Sequence, residues 1–158
     1  MKQGKILISA CLLGAPVRYD GQSKAVEHTV LQRWQQEERL LPCCPEVLGG
    51  LPVPRVPAEL LEERVVNAEG VDVTAAFHWG AERVLDLCRE HKVRLAVLKE
   101  GSPSCGVHQV YDGTFQGKKR SGQGLTCALL QAHGVRVFSE HELPEAAAFD
   151  AVLDASLG

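Results

Sequence analysis

Aromatic residues are scarce in this sequence, at 5% of 158 residues, and the formal net charge at pH 7 is −3. Proteins that bind single-stranded nucleic acid stack the bases on aromatic side chains and attract the phosphates with positive charge. A chain that is poor in aromatics and slightly acidic has little of either, so we expect no polymeric nucleic acid as its partner.

Long apolar runs are also missing. No stretch approaches the roughly 20 apolar residues of a membrane helix. The first residues lead into a predicted strand and are too short for a signal peptide. Six cysteines without a secretion signal are typical of cytosolic proteins, whose thiols stay reduced and more often bind metal or do chemistry than form disulfides. We therefore expect a cytoplasmic protein that has no contact with a membrane.

The length and composition favour one globular domain. Hydrophobic residues make up 45% of the chain and charged residues 23%, which is ordinary for a folded protein. A chain of about 150 residues buries roughly 70% of its unfolded surface, enough for a normal core. We expect a single domain that spans residues 1–158.

Strand and helix patterns alternate along the chain. Short apolar runs predict strands at residues 5–10, 40–43, 94–99 and 135–138. Apolar residues at helical spacing predict helices at about residues 26–34, 74–88, 125–133 and 144–156. This order predicts an α/β fold, a small Rossmann-like or flavodoxin-like parallel sheet of about four strands with helices on both faces.

The remaining segments predict loops and one small β-hairpin. Three prolines in residues 51–57 favour an extended loop. Residues 64–66 and 70–73 are predicted to pair as the hairpin, and Thr74 to cap the helix that follows. Residues 117–124 are predicted to form a mobile basic loop.

Three cysteines follow the ends of three different predicted strands. These are Cys11, Cys44 and Cys105. The carboxyl ends of parallel strands lie at one edge of the sheet, where the functional crevice of such folds is found, so we expect the three to meet there. Cys88 and Cys127 fall within predicted helices, where a free cysteine usually packs as a small apolar residue. That interpretation also stays open for Cys11 and Cys44.

Three thiolates at one point require a cation, which favours a metal or an iron–sulfur site. Zinc is one alternative, because Cys105 and His108 have a C-x-x-H spacing and Cys43 and Cys44 offer further ligands. An iron–sulfur cluster is the other, and three cysteines would leave one iron of a four-iron cluster open to a substrate atom.

Long motifs in this chain resemble those of a known family. They are ISACLLG at 8–14, VRYDG at 17–21, CPEVLGGLP at 44–52, DVT at 72–74, LKEGSPSCG at 98–106, YDGTF at 111–115 and GQG at 122–124. Together they resemble the bacterial thiouracil desulfidase family, formerly a domain of unknown function, over nearly the whole chain.

The resemblance implies a [4Fe-4S]-dependent C–S hydrolase that converts thiouracil to uracil and hydrogen sulfide without net redox chemistry. By motif, Cys11, Cys44 and Cys105 would hold the cluster, and Glu46 and Ser102 would be the catalytic pair. Cys43 stands before its motif and is not implied as a ligand.

Elementary chemistry suggests how such a site would work. A thiocarbonyl sulfur is soft and should bind the open iron, which makes its carbon electrophilic. Glu46 would act as a general base on the attacking water or move a proton to the ring, and Ser102 would orient the water or the base. Each residue also has a plainer interpretation, since Glu46 could cap a turn and Ser102 could only stabilise one.

A non-catalytic metal or redox sensor module is the alternative function. A Rossmann-like nucleotide enzyme ranks last, because no G-x-G-x-x-G follows the first strand. The sequence leaves open whether the small thiopyrimidine is a base, nucleoside or nucleotide and whether its sulfur is at position 2 or 4. It also leaves open the roles of a few neighbouring residues, namely Cys43, Arg18, Tyr19, Asp20, Lys118, Lys119 and Arg120.

Overall fold

The computed structural model describes residues 4–21 and 25–157. Their strands, in chain order, are β1 (Ile6–Ser9), β2 (Leu40–Cys43), β3 (Ala58–Leu61), β4 (Arg64–Asn67), β5 (Leu95–Leu98), β6 (Gln109–Tyr111), β7 (Lys119–Ser121) and β8 (Arg136–Ser139). Their helices are α1 (Thr29–Gln36), α2 (Pro45–Leu48), α3 (Thr74–Glu90), α4 (Leu125–Ala132) and α5 (Leu143–Leu157), with 3₁₀ turns at Ala10–Leu13 and Glu140–Glu142.

Within these residues, four parallel strands form the central sheet in the order β2-β1-β5-β8. Strands β1 and β5 are buried along their whole length, as expected of strands covered on both faces. Leu7 and Ala96 pack in the layer that contains α3 and α4, whereas Ile8 and Val97 pack against α1 and α5 on the other face. The predicted α/β fold is thereby confirmed.

The small hairpins differ from the prediction. Strand β4 pairs with β3, which precedes it, and residues 70–73 contribute only an isolated bridge between Asp72 and Val66. Thr74 does not cap α3, because Val73 holds the cap position and the Thr74 hydroxyl accepts the backbone N–H of Val65 at 2.8 Å. This side chain ties the hairpin to the helix instead.

The predicted basic loop at 117–124 is partly a strand. Its β7 segment pairs antiparallel with β6, so the two form a second hairpin. All three residues of β7 are exposed and polar. The segment therefore lacks the apolar residues that would have predicted a strand. An isolated bridge between Gly101 and Val110 joins this hairpin to the loop that follows β5.

The strand order explains where a site can form. From β1 the chain passes through α1 to the edge strand β2, and it later returns through α3 on the opposite face to β5 on the other side of β1. In such sheets a crevice opens beyond the carboxyl ends of the strands where the order reverses, here β1 and β5.

The short helix α2 packs directly on the backbone of α3. A Cβ atom on Gly49 would overlap the carbonyl oxygen of Ala76, and one on Gly80 would overlap that of Pro45. Both positions need glycine because the two backbones touch with no side chain between them. The first turn of α2 is therefore fixed against the long helix.

A buried ion pair fastens the last helix to the sheet edge. The Arg39 guanidinium, just before β2, donates to both carboxylate oxygens of Asp150 in α5 at 2.7 and 2.8 Å. Both side chains are almost fully buried. Within the described ranges, no helix is both long and apolar enough to cross a bilayer.

Candidate active site

A cavity of about 710 Å³ opens over the carboxyl ends of β1, β2 and β5. Its remaining walls come from the proline-rich 51–57 segment and from the β6–β7 hairpin. Clefts of 300–1,000 Å³ are typical of small-molecule sites. The cavity therefore has the size for a small ligand and lies where the strand order predicts one.

Cys11, Cys44 and Cys105 all line this cavity. Cys11 lies in the 3₁₀ turn after β1, Cys44 follows β2 directly, and Cys105 lies in the loop after β5. The Cys44 thiol is close enough to Cys11 and Cys105 to raise the pKa of both. As expected, the structure brings the three cysteine-bearing stretches together at one edge of the sheet.

The environment of these thiols disfavours a bare thiolate. Burial, reinforced by the Cys44 thiol, raises the pKa of Cys11 to about 11 although Lys99 and Arg18 oppose the shift. Burial also raises the pKa of Cys44, and it raises that of Cys105 well above the ordinary value despite a hydrogen bond from Ser9. The three sulfurs would become thiolates together only with a cation to offset the charge.

The donor set suits a soft, sulfur-liking metal centre. Three sulfur donors in a desolvated wall are the ligands that iron–sulfur clusters take from proteins. In the described part of the chain, no three cysteine, histidine or carboxylate side chains are grouped so as to hold a single ion. The ligands of a four-iron cluster bind different irons and so stand farther apart than the ligands of one ion.

The other cysteines belong mainly to the core. Cys88 and Cys127 pack in the α3–α4 layer, in agreement with their interpretation as small apolar residues. Cys43 is also buried there, although it reaches the cavity wall, and burial raises its pKa strongly.

Glu46 lies in the first turn of α2 and lines the cavity. Its Oε2 atom accepts a hydrogen bond from Arg55 Nε at 2.8 Å, and Arg55 Nη2 lies 2.6 Å from the same oxygen in an ion pair. The side chains of Arg55 and Glu46 are only 7% and 15% exposed. The turn-capping interpretation of Glu46 does not describe this contact, because the carboxylate binds a side chain from another segment.

Arg55 was not singled out in the sequence, and it contacts three segments of the wall. Besides Glu46, its Nη2 donates to the carbonyl of Val17 at 3.0 Å and its Nη1 to that of Pro52 at 3.1 Å. Its backbone N–H donates to the carbonyl of Tyr19 at 2.6 Å. A lone arginine in a proline-rich loop carries no local signal for such contacts.

Ser102 also lines the cavity and shapes the loop that bears Cys105. Its Oγ accepts the backbone N–H of Cys105 at 2.7 Å and that of Ser104 at 3.2 Å. The two lone pairs of the hydroxyl are thereby used, while its proton remains available to donate. The turn interpretation of Ser102 is thus correct, and it is compatible with a role as a donor.

Glu100 holds the same loop from its other side, a role that the sequence did not predict although the residue lies within the 98–106 motif. Its carboxylate accepts backbone N–H groups of Val107, His108 and Gln109 at 2.7–3.1 Å. Burial alone would raise its pKa, but these bonds and one from Gly101 together lower it. The neighbouring Lys99 forms an ion pair with Glu140 at 2.9 Å.

The remaining predicted residues divide into two groups. Arg18, Tyr19 and Lys119 line the cavity. Asp20 lies outside the lining and pairs with Arg18 at 3.6 Å. Lys118, Arg120 and His108 are exposed and lie outside the lining. The His108 ring contacts Glu142 at 2.8 Å.

Comparisons with known proteins identify close relatives. A family model described as 2-thiouracil desulfurase matches residues 6–142. A solved structure, the [4Fe-4S]-dependent thiouracil desulfidase TudS, is 54% identical in sequence and superposes with a TM-score of 0.91, covering 99% of this chain and 100% of its own.

A curated relative from Bacillus subtilis (strain 168), the uncharacterized protein YbbK, is 41% identical over 148 residues. The match covers 87% of this chain and 97% of that protein. Both relatives are therefore matched over nearly their whole length.

Proposed function

This chain belongs to the 2-thiouracil desulfurase family, and we propose that it removes sulfur from a thiolated pyrimidine with the help of a [4Fe-4S] cluster. The reaction is a hydrolysis in which a ring C=S and water give a ring C=O and hydrogen sulfide. No electrons are gained or lost, so no oxidant or reductant is required.

The observation that carries this proposal is the placement of three cysteines from three strand ends in the wall of one cavity. Cys11, Cys44 and Cys105 would hold three irons of the cluster. When bound, the cluster would supply a soft Lewis-acid position for the thiocarbonyl sulfur at its fourth iron.

Glu46 is the proposed general base. Because Oε2 is occupied by Arg55 and no described residue donates to Oε1, Oε1 is the oxygen that would take a proton from the attacking water. The same oxygen can return that proton to the departing sulfur or to a ring nitrogen. General bases placed in this way typically contribute about 10²–10⁴-fold to a rate.

Ser102 is the proposed hydrogen-bond donor. Its oxygen already accepts two backbone N–H groups, so it is poorly suited to accept a proton from water. Its hydroxyl proton can instead be donated to the oxygen of the attacking water, which orients that water towards the ring carbon while Glu46 takes its proton. The sequence left open whether Ser102 orients the water or the base, and we propose that it orients the water.

The cavity suits a small heterocycle. Its lining combines aliphatic and proline side chains with the charged groups described above, a composition common in small-molecule sites. We also propose a cytoplasmic location, because reduced cysteines and iron–sulfur ligation suit a reducing compartment.

Anaerobic assay of reconstituted protein tests the function. The protein, loaded with iron and sulfide, is incubated separately with 2-thiouracil and 4-thiouracil, while hydrogen sulfide and uracil are measured. We expect the two products in equal amounts and only while the cluster absorbance persists. A brown protein that releases no sulfide from either compound would instead favour a non-catalytic cluster carrier.

A further inference from the structure

We propose that Arg55 is the positioning residue of this site. It holds one carboxylate oxygen of Glu46, so that the other oxygen points into the cavity in a fixed orientation. It also fastens the loop of residues 15–21 over Cys44. The inference rests on the proposed function and assigns a role to a residue that the sequence motifs do not contain.

The contact between Arg55 and Glu46 is unusual in its division of donors. Arginine and a carboxylate commonly pair as two parallel forks, with one donor to each oxygen. Here Nε donates to Oε2 at 2.8 Å and Nη2 lies 2.6 Å from that same oxygen, so both close contacts fall on Oε2. The rotation of the carboxylate is thereby restrained while Oε1 is left to a molecule in the cavity.

Burial strengthens this ion pair, so that it can hold the Glu46 side chain in place. Exposed pairs contribute little because water competes and long side chains lose freedom. Arg55 and Glu46 are 7% and 15% exposed, so water competes poorly. Loss of the guanidinium would leave the Glu46 side chain free to change its rotamer.

Arg55 also links Glu46 to the loop beside Cys44. The Val17 carbonyl that accepts Nη2 at 3.0 Å lies 3.8 Å from the Cys44 sulfur. The Arg55 backbone N–H holds the Tyr19 carbonyl. One residue, through its side chain and its backbone, therefore holds Glu46, the 15–21 loop and Cys44 close together.

A different role for Arg55 would be direct contact with the substrate, since it also lines the cavity. The two roles are separated by a double-mutant cycle. A residue that acts through Glu46 should cost little once Glu46 has lost its function. A residue that acts on the substrate should cost the same in both backgrounds.

The cycle uses Arg55→Met, Glu46→Gln and the double variant, with Arg55→Lys as a milder change and Arg64→Met as the matched control. Arg64 forms an exposed ion pair with Asp72 at 3.7 Å, outside the cavity lining. The rate of sulfide release, the KM and the cluster absorbance are measured for each protein.

We expect Arg55→Met to lower kcat about 10²-fold, the usual cost of a misplaced catalytic group, with a change in KM below about threefold. In the Glu46→Gln background the same change should lower kcat less than about threefold. Arg55→Lys, which keeps the charge and loses the fork, should fall between. A further loss of about 10²-fold in the double variant would overturn the proposal.

Hydrogen exchange of the cluster-loaded protein gives a readout that does not depend on turnover. The peptide that covers residues 15–21 should exchange faster in Arg55→Met and as in wild type in Arg64→Met. Unchanged exchange in Arg55→Met would refute the fastening role. If wild-type protein releases no sulfide, the proposed function fails, and the exchange result still decides the role of Arg55. Should Arg55→Met not retain its cluster, the same comparisons are made with Arg55→Lys.

Discussion

The Ser102 hydroxyl oxygen accepts the backbone N–H of Cys105 at 2.7 Å. One side chain thus sets the conformation of a cysteine-bearing loop and presents a proton to the cavity. Ser102→Ala removes both features and should lower the rate of sulfide release about 10²-fold, the usual cost of a misplaced reacting group.

The same Ser102→Ala variant should lose about 0.5–2 kcal/mol of unfolding free energy, as with other lost caps. Ser102→Thr, which keeps the hydroxyl, is the matched control and should retain turnover. Sulfide assays and thermal melts under nitrogen measure the two effects. Full turnover in Ser102→Ala would show that Ser102 only stabilises the turn.

The cysteine assignment predicts a sharp contrast between neighbours. Cys44→Ala, like Cys11→Ala and Cys105→Ala, should lose the visible absorbance of the cluster and all sulfide release. Cys43→Ala should keep both, because Cys43 packs with the core and is not an assigned ligand. Iron and sulfide content per chain measures the difference, and loss of the cluster from Cys43→Ala would require a different ligand set.

Glu46→Gln tests the general base without changing the shape of the side chain. The amide oxygen can still accept from Arg55, so we expect the cluster to remain. Turnover should fall by about 10²–10⁴-fold because the amide takes up no proton. Glu63→Gln, at an exposed position, is the control. If Glu46→Gln turned over as wild type, another group would have to be the base.

Glu100 predicts a pH dependence of stability. Its pKa in the folded protein lies below the ordinary value, so it stabilises the fold above the unfolded pKa, near 4.3. That contribution is lost as the pH falls through the folded pKa. Glu100→Gln should destabilise the protein by about 1–3 kcal/mol at pH 7, the cost of weakened bonds to a charged acceptor.

The wild-type advantage over Glu100→Gln should shrink on acidification from pH 6 towards pH 3. Urea unfolding of cluster-free protein at several pH values measures it, so that only the chain is titrated. The difference between the two proteins isolates Glu100, since the pKa values of Glu142, Asp72 and Asp112 are lowered as well. A constant difference over this range would contradict the prediction.

The buried pair of Arg39 and Asp150 predicts an asymmetric response to mutation. Arg39→Met leaves a buried carboxylate without its partner and should cost about 3–5 kcal/mol. The double variant Arg39→Met/Asp150→Leu should recover most of that loss. Arg64→Met, in an exposed pair, should cost at most about 1 kcal/mol. Denaturant midpoints measure all three, and equal losses for the two single variants would contradict the burial argument.

The sequence predicted the central sheet well because its strands carry strong local signals. Strand β2 was predicted with its observed bounds, and the run from Leu95 to Leu98 is apolar and buried. The hairpins were harder. Strand β4 pairs with β3 before it and bridges to Asp72 after it, and the sequence predicted only the partner at residues 70–73.

The cavity was predictable in outline for a similar reason. Cys11, Cys44 and Cys105 carry recognisable motifs and stand at strand ends, so the topology alone brings them to one edge. Arg55 and Glu100 were not predictable, because each acts through contacts between separate segments. Their side chains resemble ordinary surface charges until the fold is known.

The backbone contact between Gly49 and Gly80 has a practical consequence for redesign. The helix that carries Glu46 rests on main chain and not on interchangeable side chains. Repacking of the core would therefore leave the backbone of this helix in place. A designer could widen the pocket at Leu51 or Val56, which line it, to admit bulkier thiolated rings, provided that Arg55 is kept to hold the Glu46 side chain.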